Sequence, residues 1–342
     1  MSAAAIVDTA QELFAGDRGI LAMDESNGTC DRRLATAGIR TGVESRRAYR
    51  ELLVTTPRLA ESIHGAILCD ETIRQSTRSG TPMITALTDA AIIPGIKVDA
   101  ATVAMAGHPG ERVTEGLDGL RDRLAGYARM GARFAKWRAV FTVSEALPSE
   151  GCVEANTGAL ARYAALCQEA GLVPIVEPEV LMDGDHTLAR CGEVTEGVLR
   201  AVFTSLHTQR VALEAVILKP NMVLPGLSAT EQPTAAEVAD ATLTCLARAV
   251  PAAIAGIAFL SGGQAGELAS ARLNAMNLPS RPGAPWALAF SFARAIQQPA
   301  LAIWHGEDAN VEEAQRALRH RARCDQMARR GEYNPAVEST PG

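Results

Sequence analysis

The sequence has no excess of positive charge, no paired cysteine motif and no long apolar run, and each absence excludes a class of protein. Its 33 basic and 39 acidic residues give a formal net charge of -6, so the chain lacks the basic surface that binding to nucleic-acid phosphates requires. Its seven cysteines stand singly, without a C-x-x-C pair, as is typical of a reducing compartment. No secretory leader and no run of about 18 unbroken apolar residues is present. We therefore expect a cytoplasmic protein that binds neither nucleic acid nor membrane.

Lysine is also scarce, although the chain has many cations. Of the 33 basic residues only Lys97, Lys136 and Lys219 are lysines, and all the others are arginines. Arginine keeps its proton at any working pH, whereas a desolvated lysine can lose its proton and attack a carbonyl carbon. The three lysines are therefore candidates for amine chemistry.

Eight short apolar runs, each ending in polar or charged residues, alternate with helical patterns along the chain. They lie at 19–24, 65–70, 92–99, 134–140, 173–179, 214–221, 256–263 and 287–294. Continuous apolar runs of this kind are typical of parallel strands that are covered on both faces. Eight strand and helix units predict an α/β fold, a (β/α)8 TIM barrel, with extra N- and C-terminal helices at about 5–14 and 309–330.

A doubly wound sheet is the main alternative to the barrel. Such a sheet is expected to carry a G-x-G-x-x-G turn after its first strand, and the segment DESNG at 24–28 does not match it. No linker divides the chain, so we predict a single barrel domain at residues 1–330. The segment 331–342 contains Pro and Gly without an apolar period, which indicates a flexible C-terminal tail.

Charged residues end most of the predicted strands, where a barrel places its chemistry. All three lysines lie in these strands. A single strand-end lysine is usually a solvated charge or the partner of a carboxylate, but three together indicate a site. Neighbouring cations and burial lower the pKa of an amine, so we expect a neutral lysine to act as nucleophile while a carboxylate moves protons. The residues that end these strands are Asp24, Lys97, Asp99, Lys136, Arg138, Glu177, Glu179 and Lys219.

Two anion sites are predicted on opposite sides of the barrel mouth. The turn Ser261, Gly262, Gly263 offers free backbone N–H groups, although such a turn is more often only a tight turn with a helix cap. Arg294, at the end of the eighth strand, favours a phosphate site, because loops seven and eight hold phosphate in many barrels. The cations on the other side are Arg32, Arg33 and Lys97. A substrate with phosphates at both ends would fit this arrangement.

Metal catalysis has little support in the sequence. The six histidines are scattered without H-x-H or H-E-x-x-H spacing. The segment DGDH at 183–186 resembles a ligand cluster, but a polar turn explains it better. We expect no metal or organic cofactor.

Six strings at six strand ends make the chain similar to the class I fructose-bisphosphate aldolases, from Gly19 to about Pro335. They are LAMDES at 21–26, GIKVD at 95–99, FAKWR at 134–138, VEPE at 176–179, LKPNM at 218–222 and FLSGGQ at 259–264. The resemblance implies cleavage of fructose 1,6-bisphosphate to dihydroxyacetone phosphate and glyceraldehyde 3-phosphate through a lysine Schiff base. It also implies a homotetramer.

The resemblance further implies a role for each matching residue. Lys219 would form the Schiff base, Glu177 would act as its acid and base, and Asp24 would take the C4 hydroxyl proton. Lys136 would assist the carbinolamine chemistry, while Glu179 and Arg138 would hold the charge network. One phosphate would be bound by Ser261, Gly262, Gly263, Ser291 and Arg294, and the other by Ser26, Thr29, Arg33 and Lys97.

Two departures from the family pattern accompany these implications. Ala293 stands where the family commonly has a glycine, and the chain lacks the C-terminal tyrosine with which animal members protonate the enamine. We predict that Tyr333 is not a full replacement for that tyrosine.

Two alternatives to a fructose-bisphosphate aldolase stay open. One is a related ketose phosphate aldolase, acting on sedoheptulose 1,7-bisphosphate or fructose 1-phosphate, and the other is a noncatalytic phosphosugar-binding barrel.

Overall fold

The fold is a closed barrel of eight parallel strands surrounded by helices, described here in a computed structural model that covers residues 3–281 and 283–339. The strands are β1 (Gly19–Ala22), β2 (Ile63–Leu68), β3 (Ile93–Lys97), β4 (Ala101–Ala104), β5 (Arg112–Glu115), β6 (Phe134–Phe141), β7 (Val173–Val180), β8 (Ile217–Leu218), β9 (Gly256–Phe259) and β10 (Leu288–Phe292). The helices are α1 (Ala3–Phe14), α2 (Asn27–Thr36), α3 (Val43–Val54), α4 (Asp70–Ile73), α5 (Met83–Asp89), α6 (Leu120–Met130), α7 (Glu150–Glu169), α8 (Leu188–Thr208), α9 (Ala235–Ala249), α10 (Gly266–Met276), α11 (Arg294–Trp304) and α12 (Val311–Arg330).

The barrel closes in the order β1, β10, β9, β8, β7, β6, β3, β2, with β2 pairing to β1. Every pair within it is parallel. The strands are buried along almost their whole length, which explains their continuous apolar sequence. The predicted (β/α)8 TIM barrel with additional terminal helices is confirmed.

Helix α1 covers the amino end of the barrel. Its residues Ile6, Leu13 and Phe14 belong to the apolar cluster that also contains the first inward residues of the strands. Gly256, at the start of β9, permits this close approach, because a Cβ atom there would lie 2.6 Å from the Phe14 ring. A plugged amino end leaves the carboxyl end as the open mouth of the barrel.

Two parts of the sheet differ from the predicted strands. The sixth predicted run, 214–221, forms only the two-residue strand β8, because a 3-10 turn occupies Leu213–Ala215 and Pro220 has no N–H to extend the ladder. The antiparallel hairpin β4–β5, which follows the third barrel strand, was not predicted. Its strands are only four residues long and largely exposed, so they lack an apolar run.

The terminal helices form close to their predicted positions, and two residues of the tail contact the rest of the structure. Helix α12 begins at Val311, and the segment after it forms a 3-10 turn at Pro335–Ser339. Tyr333 is buried, and the carboxylate of Glu338 pairs with the guanidinium of Arg321 on α12. Within the tail that was predicted to be flexible, Tyr333 and Glu338 thus make defined contacts, while the other residues at 334–339 are exposed or half-buried; 340–342 lie outside the described residues.

The helices and cysteines add two further observations. Within residues 3–281 and 283–339, none of the helices combines the length and apolar character that a membrane crossing would need. All seven cysteines are buried free thiols.

Candidate active site

A cavity of about 840 Å³ opens at the carboxyl ends of the barrel strands. It brings together residues that are far apart in the sequence, from Asp24 to Arg294. Every residue that the sequence analysis assigned to the site lines it: Asp24, Ser26, Thr29, Arg33, Lys97, Lys136, Arg138, Glu177, Glu179, Lys219, Ser261, Gly262, Gly263, Ser291 and Arg294.

Four buried charges form a continuous chain at the bottom of the cavity. The Lys136 Nζ lies 2.8 Å from Asp24 Oδ2 and 2.9 Å from Glu177 Oε2. The other oxygen of Glu177 lies 3.0 Å from the Lys219 Nζ. All four residues are at most 7% exposed. Glu177 therefore bridges the two lysines, which places a proton acceptor against each amine.

Their mutual contacts change the ionisation of these groups. Burial disfavours the charged form of Asp24, yet the positive charges of Lys136 and Lys219 lower its pKa to about 2. Burial acts on Glu177 in the same way, and the same two lysines outweigh it and lower the pKa of that carboxyl group as well. Both carboxyl groups are therefore ionised at neutral pH.

The expected lowering of an amine pKa by neighbouring cations is wrong for Lys136. Burial acts in the expected direction, but the carboxylates of Asp24 and Glu177 outweigh it and raise the pKa of Lys136. The sequence placed Lys136, Glu177 and Lys219 at the ends of three successive strands, whereas the contacts of Lys136 with Asp24 and Glu177, which raise its pKa, are visible only in the structure. Lys136 therefore faces the two carboxylates as an ammonium group rather than as a neutral amine.

Asp99 is a further residue of the site that the sequence analysis noted at a strand end but did not assign to the site. Its Oδ1 lies 2.6 Å from Lys97 Nζ, and its Oδ2 accepts a hydrogen bond of 3.2 Å from the Arg138 backbone N–H. Lys136 Nζ lies 3.9 Å from Asp99 Oδ2. Asp99 thus joins β3 to β6, while the Arg138 side chain pairs with Glu179 on β7.

The turn after β9 and the start of α11 form one side of the mouth. Gly262 and Gly263 have φ values of +59° and +92°, which few residues other than glycine adopt. A Cβ atom on Gly263 would lie 3.3 Å from Arg294 Nη2. Within the described residues the buried Ser291 Oγ has no hydrogen-bond partner. Free donors and a guanidinium therefore face the same space, which is suited to a phosphate.

Ala293, the residue that departs from the family pattern, lies directly before helix α11. Ala293 has φ -107°, outside the left-handed region. Its methyl group packs against the apolar cluster of the barrel interior.

The opposite side of the mouth is built on the first turn of α2. Ser26 caps this helix, because its Oγ accepts a hydrogen bond from the Thr29 N–H. Arg32 Nη2 donates to Thr29 Oγ1 at 2.9 Å. Arg33 pairs with Glu25 and donates to Gln297 Oε1 at 2.8 Å. These contacts fix the guanidinium groups at the rim before any ligand binds.

The support beneath Arg33 was not predicted from the sequence. Glu25 also pairs with the buried Arg50 at 2.7 Å, and Tyr49 donates to Gln297 Oε1 at 2.8 Å. Gln297 itself donates to the Ala22 carbonyl at the end of β1. The arginines of α3, of which Arg50 reaches Glu25, are a sequence signal of charge near this position.

Tyr333 does not line the cavity within the described part of the chain. Its hydroxyl donates to Glu338 Oε1 at 2.7 Å, and its backbone N–H donates to Asn274 on α10. The tyrosine therefore fastens the tail to the outer helices.

The segment DGDH at 183–186 lies in a loop, where the His186 carbonyl accepts a hydrogen bond from the Gly226 N–H, in accord with a polar turn.

Comparison with known proteins gives concordant matches over nearly the whole chain. A family model described as class I fructose-bisphosphate aldolase matches residues 5–341. A Xylella fastidiosa protein named probable fructose-bisphosphate aldolase class 1 is 52% identical over 334 residues, or 97% of this chain and 99% of that protein. A cytosolic fructose-bisphosphate aldolase from Arabidopsis thaliana is 48% identical over 92% of this chain and 88% of its own length. The structure of fructose-bisphosphate aldolase from Plasmodium falciparum, in complex with TRAP and an inhibitor, superposes with a TM-score of 0.95 at 43% identity, covering 97% of this chain and 96% of that one.

Proposed function

The chain belongs to the class I fructose-bisphosphate aldolases, and from this premise we propose how its own residues carry the reaction. The enzyme is a carbon–carbon lyase that cleaves fructose 1,6-bisphosphate reversibly, through a lysine Schiff base, to dihydroxyacetone phosphate and glyceraldehyde 3-phosphate. The observation that carries the proposal is the buried chain Asp24, Lys136, Glu177, Lys219, in which every neighbour is within 3.0 Å.

Lys219 is the proposed nucleophile. Its amine must give up a proton before it attacks the ketone at C2, and the ionised Glu177 at 3.0 Å can accept that proton. Glu177 then returns the proton to the carbinolamine hydroxyl, which leaves as water. Lys136 contacts the other oxygen of Glu177 and stabilises the ionised form of that carboxylate before the first proton transfer and after the second.

Asp24 is the proposed base for carbon–carbon cleavage. It takes the proton from the C4 hydroxyl as the C3–C4 bond breaks, and the bonding electrons pass to the protonated imine, which becomes a neutral enamine. With a pKa of about 2, Asp24 is ionised at any working pH. Glyceraldehyde 3-phosphate leaves, the enamine is protonated at C3, and hydrolysis of the new imine releases dihydroxyacetone phosphate.

The two sides of the mouth are the proposed phosphate sites. Ser261, Gly262, Gly263, Ser291 and Arg294 would bind one phosphate, and Ser26, Thr29, Arg33 and Lys97 the other. The support is the Ser291 hydroxyl on one side, which finds no hydrogen-bond partner among residues 3–281 and 283–339, and the anchored Arg33 on the other. Substrate recognition by cations at both ends favours a bisphosphate over a monophosphate.

We further propose that the enzyme is cytoplasmic and forms a homo-oligomer, which the family resemblance implies is a tetramer. A cytosolic aldolase among the relatives supports the location. Light scattering of the purified chain tests the tetramer, which a monomeric mass would contradict.

Parallel cleavage assays test the proposed function. Wild type, Lys219→Arg and the matched control Lys97→Arg are each given fructose 1,6-bisphosphate, fructose 1-phosphate and sedoheptulose 1,7-bisphosphate. We expect wild type to be fastest on fructose 1,6-bisphosphate, Lys219→Arg to be inactive on all three, and Lys97→Arg to keep turnover with a raised KM. Unchanged cleavage by Lys219→Arg contradicts the mechanism, and binding without cleavage by wild type indicates a noncatalytic barrel.

A further inference from the structure

Three side chains with metal-ligand chemistry meet beside the C-terminal helix, outside the active-site cavity. They are His320 and Cys324 on α12 and Glu338 in the following 3-10 turn, and their ligand atoms all lie within 4.8 Å of one another. The Cys324 Sγ is 3.6 Å from His320 Nε2, and that nitrogen is 3.8 Å from Glu338 Oε2. The catalytic steps derived above use none of these residues.

The distances between these ligand atoms are close to those between the ligands of a bound zinc ion. A tetrahedral zinc ion, with bonds of roughly 2.3 Å to sulfur and 2.0–2.2 Å to nitrogen and oxygen, holds neighbouring ligand atoms roughly 3.3–3.6 Å apart. Two of the observed separations are within a few tenths of an ångström of that range. The spacing of four residues on α12 places the imidazole and the thiol on one helix face. The remaining separation, between the thiol and the carboxylate, is no more than 4.8 Å.

The carboxylate is already oriented by its neighbours. Glu338 Oε1 accepts hydrogen bonds from the Tyr333 hydroxyl at 2.7 Å and from the Arg321 guanidinium. Arg321 is held in turn by the Ser270 hydroxyl at 2.7 Å. These contacts leave Glu338 Oε2 directed toward His320. Metal-binding carboxylates are commonly fixed by hydrogen bonds in this way.

The three ligands differ in exposure, and two of them reach solvent. Cys324 is 1% exposed, whereas the side chains of His320 and Glu338 are each 20% exposed. His320 also lines a groove of about 530 Å³ that is bordered by Arg319, Arg323 and Glu332. The imidazole and the carboxylate are therefore open to an ion from solvent, while the thiol is shielded.

We propose that His320, Cys324 and Glu338 bind one Zn²⁺ ion, with water at the fourth position. As the sulfur–zinc bond forms, the Cys324 thiol releases its proton to solvent, and the thiolate and the carboxylate together balance the charge of the ion. Because Glu338 lies after α12, the ion ties the C-terminal tail to that helix. This site does not depend on the aldolase mechanism and supplies nothing to it.

Metal titration of the full-length protein tests the proposal. The chain is treated with chelator, desalted, and titrated with Zn²⁺ by calorimetry and with Co²⁺ as a spectroscopic probe. We expect one equivalent of Zn²⁺ to bind, and Co²⁺ to show tetrahedral absorption with a sulfur charge-transfer band. Mg²⁺, which prefers oxygen ligands, should not compete. Failure to bind an equivalent of Zn²⁺, or a Co²⁺ spectrum without the sulfur band, overturns the proposal.

Variants identify the ligands and separate binding from folding. Cys324→Ser should lose the sulfur band, and His320→Asn and Glu338→Gln should weaken Zn²⁺ binding at least about tenfold. The matched control Cys69→Ser, at another buried thiol, should bind as wild type does. Should Cys324→Ser not fold, His320→Asn and Glu338→Gln decide, because both positions are partly exposed and the amide oxygen introduced by Glu338→Gln can still accept from Tyr333. Wild-type affinity in both of them overturns the site.

Discussion

At the scale of single residues, the active site is costly to fold, because four charges are removed from water at Asp24, Lys136, Glu177 and Lys219. Such pairs recover only part of their desolvation penalty, and removing one member leaves another charge buried without its partner. Apolar residues of similar volume would fill the same space at lower cost. The arrangement is therefore explained by the proton transfers it allows rather than by stability.

The lowered pKa of Asp24 predicts how stability depends on pH. A carboxyl group with a folded-state pKa of about 2, against 3.8 ordinarily, contributes stability above pH 4 and loses it as the pH falls toward 2, which amounts to about 2 kcal/mol. The free energy of unfolding of wild type minus that of Asp24→Asn, from urea titrations, should therefore be constant from pH 7 to 5. It should shrink from pH 4 downward. A difference that grows in acid contradicts the pairing.

Charged residues of the site were predictable individually, whereas their neutral supports were not. Asp24 and Lys219 follow apolar runs, and a barrel brings all strand ends to one mouth. Gln297 carries no charge and lies in the first turn of α11, so neither the hydrophobic periodicity nor the spacing of a motif singles it out in the sequence. Its role depends on Ala22, Arg33 and Tyr49, which come from three other elements.

At the scale of elements, the proposed phosphate site at Ser261, Gly262, Gly263 and Arg294 depends on the turn after β9 and on helix α11, which follows β10. The turn at Gly262 and Gly263 needs left-handed backbone, and Arg294 begins α11. The guanidinium and the turn are so close that a single methyl group would meet Arg294. Loop geometry and guanidinium position are therefore coupled.

Gly263→Ala tests this coupling, with Gly80→Ala as its matched control. Both glycines have φ near +90°, but a Cβ atom at Gly80 meets nothing within 4 Å. Each substitution should cost about 1–2 kcal/mol of stability, measured by urea unfolding. Only Gly263→Ala should also raise the KM for fructose 1,6-bisphosphate, by about tenfold, because it displaces Arg294. Equal KM values in the two variants would show that the turn does not hold phosphate.

The contacts of the C-terminal tail predict that replacing Tyr333 lowers stability and has little effect on catalysis. Tyr333→Phe removes the hydrogen bond to Glu338, so it should destabilise the protein by about 1 kcal/mol in thermal unfolding. Imine formation and turnover should stay close to wild type, because Tyr333 does not line the cavity in the described structure. Loss of turnover with imine formation intact would instead make Tyr333 the donor that protonates the enamine.

Element boundaries were less predictable than element existence. The run 214–221 is as apolar as a buried strand, yet only Ile217 and Leu218 pair with β7 and β9 as regular strand residues. The hairpin β4–β5 is exposed on half of its residues and buried on only one, and exposed pairs give no apolar alternation. The tail packed against α12 contains few apolar residues and is held by ion pairs, so it gave no periodic signal.

At the scale of the whole molecule, the barrel was predictable because one physical constraint repeats eight times. Each strand is covered on both faces and each ends at the same rim, so apolar runs that end in charges recur along the chain. Helix α1 plugs the other end, which confines solvent and chemistry to the mouth. What could not be predicted was the pairing of charges inside that mouth, because it depends on side-chain distances across four strands.

The central claim is that Lys219 bonds covalently to the substrate, and borohydride trapping followed by peptide mass analysis tests it most directly. Wild type is reduced in the presence of fructose 1,6-bisphosphate or dihydroxyacetone phosphate, with chelator present throughout. The account predicts loss of activity and a reduced sugar-phosphate adduct on the peptide containing Lys219, and none on peptides containing Lys97 or Lys136. An enzyme that turns over without any lysine adduct and that chelator inhibits would contradict the account.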